Sequence, residues 1–281
     1  MEDSCNHRPF VFMLAPKGRS GTHYLQRLLV EAGVCELPLG KVLSNEDWFL
    51  THSDILIEYT DRLRSQYAEF SHVQTPEIVV LQDRILRELG DGLKRTVDAE
   101  GRLPILLMTP NSGSIESFFR LFYNDKLIII VRDGRDTCES LVKSNFEKNH
   151  EQAFHGWNTN ARAAMAFIEG ISIKKNADKV LLLRYEDILA DPAKAVMKVA
   201  AWLNVPVDPK RLPDFEQIPI IGSSEIGREK DGSFTYKTVP AQPNFKPVGR
   251  WHSWPAPLRQ QFKEIANEPL VYFGYESDDK W

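Results

Sequence analysis

Cysteine is scarce in this chain. Cys5, Cys35 and Cys138 are isolated, odd in number and without the spacing of metal ligands, so neither a disulfide framework nor a metal site is expected. Long hydrophobic runs are missing too. The longest, such as Leu127–Val131 and Val180–Leu183, have strand length and fall far short of a membrane span. Met1 to Arg8 is polar and holds no apolar stretch of signal-peptide length. An excess of one charge is also absent: 35 Lys+Arg stand against 39 Asp+Glu, a formal net charge of −4. That balance argues against a broad basic surface for nucleic acid and leaves room for a local anion pocket. No repeat, low-complexity tract or flexible linker interrupts the chain. These absences give the expectation of a cytoplasmic enzyme-sized protein with neither a membrane span nor a nucleic-acid partner.

What is present is ordinary globular composition, 42% apolar and 26% charged over 281 residues, which we read as a single domain over residues 1–281. Four short apolar runs read as strands covered on both faces: Phe10–Ala15, Leu103–Thr109, Lys126–Val131 and Lys179–Arg184. Helical stripes lie between and after them. Leu25, Leu28, Leu29 and Ala32 form one stripe, with Gly33 where that helix stops. Thr75-Pro76 and Asp191-Pro192 each set a capping side chain before a first-turn proline. Strand–helix alternation of this kind implies parallel strands joined by crossover helices, a layered α/β fold. Residues 34–102 read as a largely helical insertion. Residues 206–248 hold seven prolines and little periodicity, a long loop of the sort that more often serves function.

Directly after the first strand stands Ala15-Pro16-Lys17-Gly18-Arg19-Ser20-Gly21-Thr22-His23-Tyr24, and then a helix begins. A tight polar turn between a strand and a helix N-terminus presents backbone N–H groups and the positive end of the helix dipole to an anion. Ser20 and Thr22 add hydroxyl donors, and Arg19 adds a fork suited to phosphate or sulfate oxygens. The plain alternative is an ordinary turn in which Ser20 or Thr22 merely caps. A Walker-type phosphate loop does not fit, because Gly21 is followed by Thr22 and the lysine, Lys17, lies upstream.

The third strand ends in Arg132-Asp133-Gly134-Arg135-Asp136-Thr137-Cys138-Glu139-Ser140. Arg132 therefore sits at a strand's carboxyl end, where open α/β sheets bind ligands, and Ser140 follows eight residues later on the next helix. A surface ion pair of Arg132 with Asp136 is the plain alternative.

Together these segments resemble the sulfotransferases that use 3′-phosphoadenosine 5′-phosphosulfate. Arg19-Ser20-Gly21-Thr22-His23 resembles the family's first motif, and Arg132 with Ser140 its second. Leu183-Arg184-Tyr185-Glu186-Asp187 and Gly249-Arg250-Trp251 resemble two later segments in the same order, so the likeness runs from about Phe10 to Tyr275. It implies a three-layer α/β architecture of P-loop-like kind, a central parallel sheet flanked by helices. It also implies the doubly phosphorylated donor as co-substrate, with no metal. Arg19, Ser20, Gly21, Thr22 and His23 would hold the 5′-phosphosulfate, and Tyr24 and Tyr185 would lie by the adenine. Arg132 and Ser140 would bind the 3′-phosphate, and Lys246 or Arg250 would close over it. The acceptor partner would be a small molecule, carbohydrate, lipid or peptide bearing a hydroxyl or amine.

The family reaction parallels phosphoryl transfer, so positioning and charge stabilisation dominate, and Arg19 is the expected stabiliser of the leaving phosphate. A base must take the acceptor's proton. Glu46 is our choice; Asp47, His23, Glu36 and His252 are the other candidates. Relatives carry a lysine on the strand before the second motif where this chain has Met108, and Lys17 is a candidate substitute. Trp157, Trp202 and Trp251 read as packing residues, whereas Trp48, Phe49 and Tyr59 are candidates for an acceptor cleft. Two alternatives stand beside the sulfotransferase reading: a P-loop-type nucleotide-dependent kinase, and a catalytically silent nucleotide-binding protein of the same fold.

Overall fold

A computed structural model describes residues 9–38, 54–70, 75–96, 103–107, 112–172, 176–215, 218, 220–221, 238–239 and 246–281. Its centre is a five-stranded parallel sheet of β1 (Val11–Leu14), β2 (Cys35–Glu36), β3 (Leu103–Leu107), β4 (Lys126–Val131) and β5 (Val180–Arg184), in the order β2-β3-β1-β4-β5. The four expected strands are all there. β1 and β5 are trimmed at their ends, and positions 108–109 of the second run lie outside the described residues. β2 went unanticipated, since two residues carry no periodicity.

Along each central strand the side chains alternate between two cores. Phe12, Leu106, Leu127 and Ile129 face one side, against α3 (Thr75–Arg95), α4 (Ser112–Leu121) and α6 (His150–Ser172). Val11, Met13, Ile105, Ile128 and Ile130 face the other, against α1 (Thr22–Glu31) and α8 (Pro192–Leu203). The result is three layers with the sheet in the middle, and apolar residues on both strand faces are what make it so. α2 (Asp54–Phe70) joins α3 in the expected helical insertion. α5 (Gly134–Lys143) and α7 (Tyr185–Ala190) follow β4 and β5, and α9 (Ala256–Tyr272) closes the chain against α6. Asp191 caps α8 by accepting from Lys194 N, as its sequence context implies. The proline-rich loop contributes a short antiparallel pair, β6 (Ile220–Ile221) and β7 (Thr238–Val239). No helix of the described residues is long and apolar enough to cross a membrane.

Two buried polar clusters fasten this frame. Lys94, at the end of α3, reaches Asp91 at 3.0 Å and Asp125 at 2.9 Å, and Asp125 also accepts the Phe10 backbone N–H at 2.8 Å. This ties the insertion to the entry points of β1 and β4. The second cluster centres on Glu139 of α5, which takes hydrogen bonds from His150 at 2.9 Å and the Trp254 indole at 2.6 Å and pairs with Lys143 at 3.0 Å. The His150 bond above all, with those of Trp254 and Lys143, lowers the Glu139 carboxyl from 4.5 to about 2.

Removing one member of a buried charge cluster strands the others, so Lys94→Met should cost about 3–5 kcal/mol in urea unfolding; an unchanged midpoint would count against the cluster. Because the folded-state pKa of Glu139 lies below its ordinary value, its stabilisation is complete above pH 4.5 and is lost as pH falls toward 2. Glu139→Gln should therefore flatten the acid limb of the stability curve in that window by roughly 2–3 kcal/mol. Urea titrations at stepped pH check this, and parallel curves for the two proteins would refute it.

Candidate active site

The loop leaving β1 is shaped by its backbone. Arg19 has φ 71° and Gly21 φ 87°, so the chain enters the left-handed region twice within three residues. A side chain at Gly21 would put its Cβ 2.2 Å from Cδ2 of Tyr185, so the close pass of loop over ring requires glycine as well as the positive φ. Ser20 is buried, and its hydroxyl donates to the Lys17 carbonyl at 2.8 Å, closing the loop on itself.

α1 begins at Thr22 with Gly21, which has no side chain, as its cap, and its first turn holds no acid. Asp133 and Asp191 cap α5 and α8 with their side chains. A helix start with a glycine cap and no first-turn acid, at the carboxyl end of a parallel sheet, favours an anion.

Arg132 leaves β4 beside this loop. Its Nη1 donates to the Arg19 carbonyl at 2.7 Å and its Nη2 donates to the Pro247 carbonyl. Its Nε is buried and has no hydrogen-bond partner among the described residues. The guanidinium lies 5.1 Å from the centroid of the Tyr185 ring. Arg19 Nε in turn donates to Ser140 Oγ at 3.3 Å. Residues from the first motif, the second motif and the end of β5 thus meet in one place.

The surface ion pair between Arg132 and Asp136 does not form as the plain alternative had it. Asp136 is wholly buried and accepts instead from the backbone N–H groups of Gly249, Arg250 and Trp251.

The remaining sequence candidates scatter more widely. Tyr24 meets Tyr185 edge-on at 6.4 Å, and burial, reinforced by Tyr185, pushes its hydroxyl up to about 12. Burial likewise raises the Tyr185 hydroxyl. Thr22 and His23 occupy the first turn of α1, both half-buried. Lys246 is exposed, and its carbonyl accepts from Arg250 Nε at 3.0 Å. Lys17, the suggested substitute for a missing lysine, pairs with Glu147 at 2.8 Å. Glu36 ends β2. His252 stacks on Trp251 at 4.2 Å, with Nδ1 2.8 Å from the Gly249 carbonyl oxygen. Trp157 is in the core, and Tyr59 is exposed on α2. Glu46, Asp47, Trp48, Phe49 and Met108 lie outside the described residues. Among the described residues no group of three or more His, Cys, Asp or Glu is arranged to hold a metal ion.

Several contributors escaped the sequence reading. The Phe146 ring lies 5.7 Å from the Arg19 guanidinium, on the turn that also supplies Glu147. Arg135 is sandwiched between Trp251 at 3.7 Å and Trp281 at 4.4 Å, and pairs with Asp133 at 2.7 Å and Glu276 at 2.5 Å. Glu186 accepts from the Asp133 N–H at 3.0 Å and the Tyr275 hydroxyl at 2.7 Å, which locks the turn after β4 to β5. An acid in a helix's first turn, as at Asp136 and Glu186, was a local signal; the partners these residues meet are remote along the chain.

Residues 9–209 match the model of a family described as "Sulfotransferase family". The sulfotransferase domain of the curacin biosynthetic pathway superposes with a TM-score of 0.55 at 19% identity, covering 93% of this chain and 97% of that one. The sulfotransferase domain of the Synechococcus PCC 7002 olefin synthase gives 0.56 at 19% identity, covering 96% and 95%. A mouse sulfotransferase complexed with PAP gives 0.51 at 15% identity, covering 93% and 84%. At such identities the likeness is one of fold. A probable plastid-lipid-associated protein of Arabidopsis thaliana is 27% identical over 142 residues, 47% of this chain and 46% of that protein, so the match spans about half of each.

Proposed function

This chain belongs to the sulfotransferase family, and from that premise we propose that it transfers a sulfuryl group from 3′-phosphoadenosine 5′-phosphosulfate to an acceptor hydroxyl or amine. The observation that carries this reading is the meeting of two separated motifs. Arg19 Nε bonds Ser140, and Arg132 Nη1 bonds the carbonyl of that same Arg19. A ligand gripped by both motifs must carry anionic groups at two points, as the proposed donor does.

Fit to the donor is supported by the acid-free, glycine-capped start of α1 and by Arg132 Nε, which has no hydrogen-bond partner among the described residues. The Lys17–Gly21 turn and the first N–H groups of α1 would take the 5′-phosphosulfate, with the helix dipole favouring its charge. Arg132 and Ser140 would take the 3′-phosphate, and Tyr185 and Tyr24 would offer ring faces to the adenine. In the transfer, the acceptor oxygen or nitrogen bonds to sulfur as sulfur's bond to the bridging oxygen of the 5′-phosphate breaks. That electron pair stays on the leaving phosphate, where Arg19 meets the developing charge. The acceptor's proton passes to a base, for which Glu46 is our assignment. The buried free thiols of Cys35 and Cys138 suit a reducing compartment, in keeping with a cytoplasmic site of action.

Arg19→Ala should lose ~10²–10³ in turnover, about 2.7–4 kcal/mol, while its circular dichroism and melting stay those of the parent. Near-normal turnover would sink the assignment. Calorimetry should find adenosine 3′,5′-bisphosphate bound in preference to ATP; the reverse preference would favour a kinase. Glu46→Gln should abolish transfer of labelled sulfate without weakening nucleotide binding, and equal loss in His23→Ala alone would move the base to His23.

A further inference from the structure

The carboxylate of Asp136 is wholly buried, yet what it faces is backbone. Its Oδ2 accepts from Gly249 N at 2.7 Å, and its Oδ1 accepts from Arg250 N at 2.7 Å and Trp251 N at 3.3 Å. These N–H groups open the 3₁₀ turn Arg250–Ser253, whose own cap, Gly249, has φ 80° and supplies no side chain. A carboxylate from α5 therefore caps a turn far along the chain, its two oxygens meeting three backbone donors together. The neighbouring Arg135 holds the same segment from another side, its guanidinium stacked on the Trp251 ring. Arg132 holds it from a third, through the Pro247 carbonyl.

We propose that Asp136 is a positioning residue for recognition of the donor's 3′-phosphate: it fixes the Pro247–Trp251 strap, and the strap fixes the Arg132 guanidinium. The proposal deepens the donor reading above and rests on it. A guanidinium held at one nitrogen by the Arg19 carbonyl and at the other by the Pro247 carbonyl cannot turn in its plane. Its remaining N–H groups, Nε among them, then point in set directions. Release the strap and one of those two anchors goes. The strap also carries Arg250, which lies within electrostatic reach of Tyr185 together with Arg132. The bonds of Asp136 go to the strap, while the Lys17–Gly21 loop is closed by its own Ser20–Lys17 bond, so grip on a 5′-phosphate does not require Asp136.

The test compares two nucleotides. Asp136→Asn keeps the size of the side chain but sets an amide N–H against a backbone N–H. Titration calorimetry with adenosine 3′,5′-bisphosphate and with 5′-AMP should show the preference for the bisphosphate falling at least about tenfold. Affinity for 5′-AMP should stay at the parent value, and the donor KM should rise by more than kcat falls. Equal weakening of both nucleotides, or an unchanged preference, overturns the proposal while the donor reading stands. A parent protein with no preference for the bisphosphate overturns the donor reading and this proposal with it. If circular dichroism finds Asp136→Asn unfolded, Gly249→Ala probes the same strap, because a methyl at φ 80° would come 3.0 Å from His252 Nδ1. The same selective loss is then expected, and an intact preference counts against the strap.

Discussion

The guanidinium of Arg132 is the joint on which the site depends. It stands at the carboxyl end of the interior strand β4, buried, and bonds the Arg19 carbonyl on one side and the Pro247 carbonyl on the other. Two loops far apart in the chain are thereby held to one rigid strand. Arginine suits this because its donors lie in one plane at fixed angles, so that satisfying two carbonyls dictates where the rest point. A lysine ammonium would bond either carbonyl but would orient nothing.

Burying that cation needs support from its surroundings. The face of Tyr185 lies beneath it, and the same ring forces glycine at position 21. Glu186, the next residue, holds the turn after Arg132 through Asp133 N–H and the Tyr275 hydroxyl. The Tyr275 hydroxyl oxygen also lies 3.0 Å from the Val131 carbonyl oxygen, so its one proton is shared between that carbonyl and Glu186. Side chains and backbone groups at the ends of three elements thus form one hydrogen-bonded layer beneath the anion site. Buried polar layers of this kind tolerate few vacancies, since each unpaired member carries its full desolvation cost.

The rest of the molecule sets the two ends of that layer. β1 and β4 are neighbours and in parallel register, so the turns that follow them emerge side by side. The Lys94–Asp125 cluster fixes where both strands begin, at the opposite edge of the sheet. The Glu139 cluster fixes α5 to α6 and to the segment entering α9, which keeps Ser140 in reach of Arg19.

Much of this was legible from residue order. The apolar runs of β1, β3, β4 and β5, the stop at Gly33 and the cap at Asp191 are local events, decided by neighbours within a turn or two. The loop Lys17–Gly21 and the pair Arg132 and Ser140 were legible for the same reason: each needs only its own strand end and helix start. What folding alone decided is which remote groups meet them. That Asp136 turns from its neighbour Arg132 to the backbone at Gly249, that Arg135 lies between Trp251 and Trp281, and that Tyr275 joins Glu186 are contacts between elements far apart in the chain. Side-chain type sets what such a group can bond, but only the packing of helices on the sheet sets what comes within 3 Å of it, and no spacing in the chain encodes that distance.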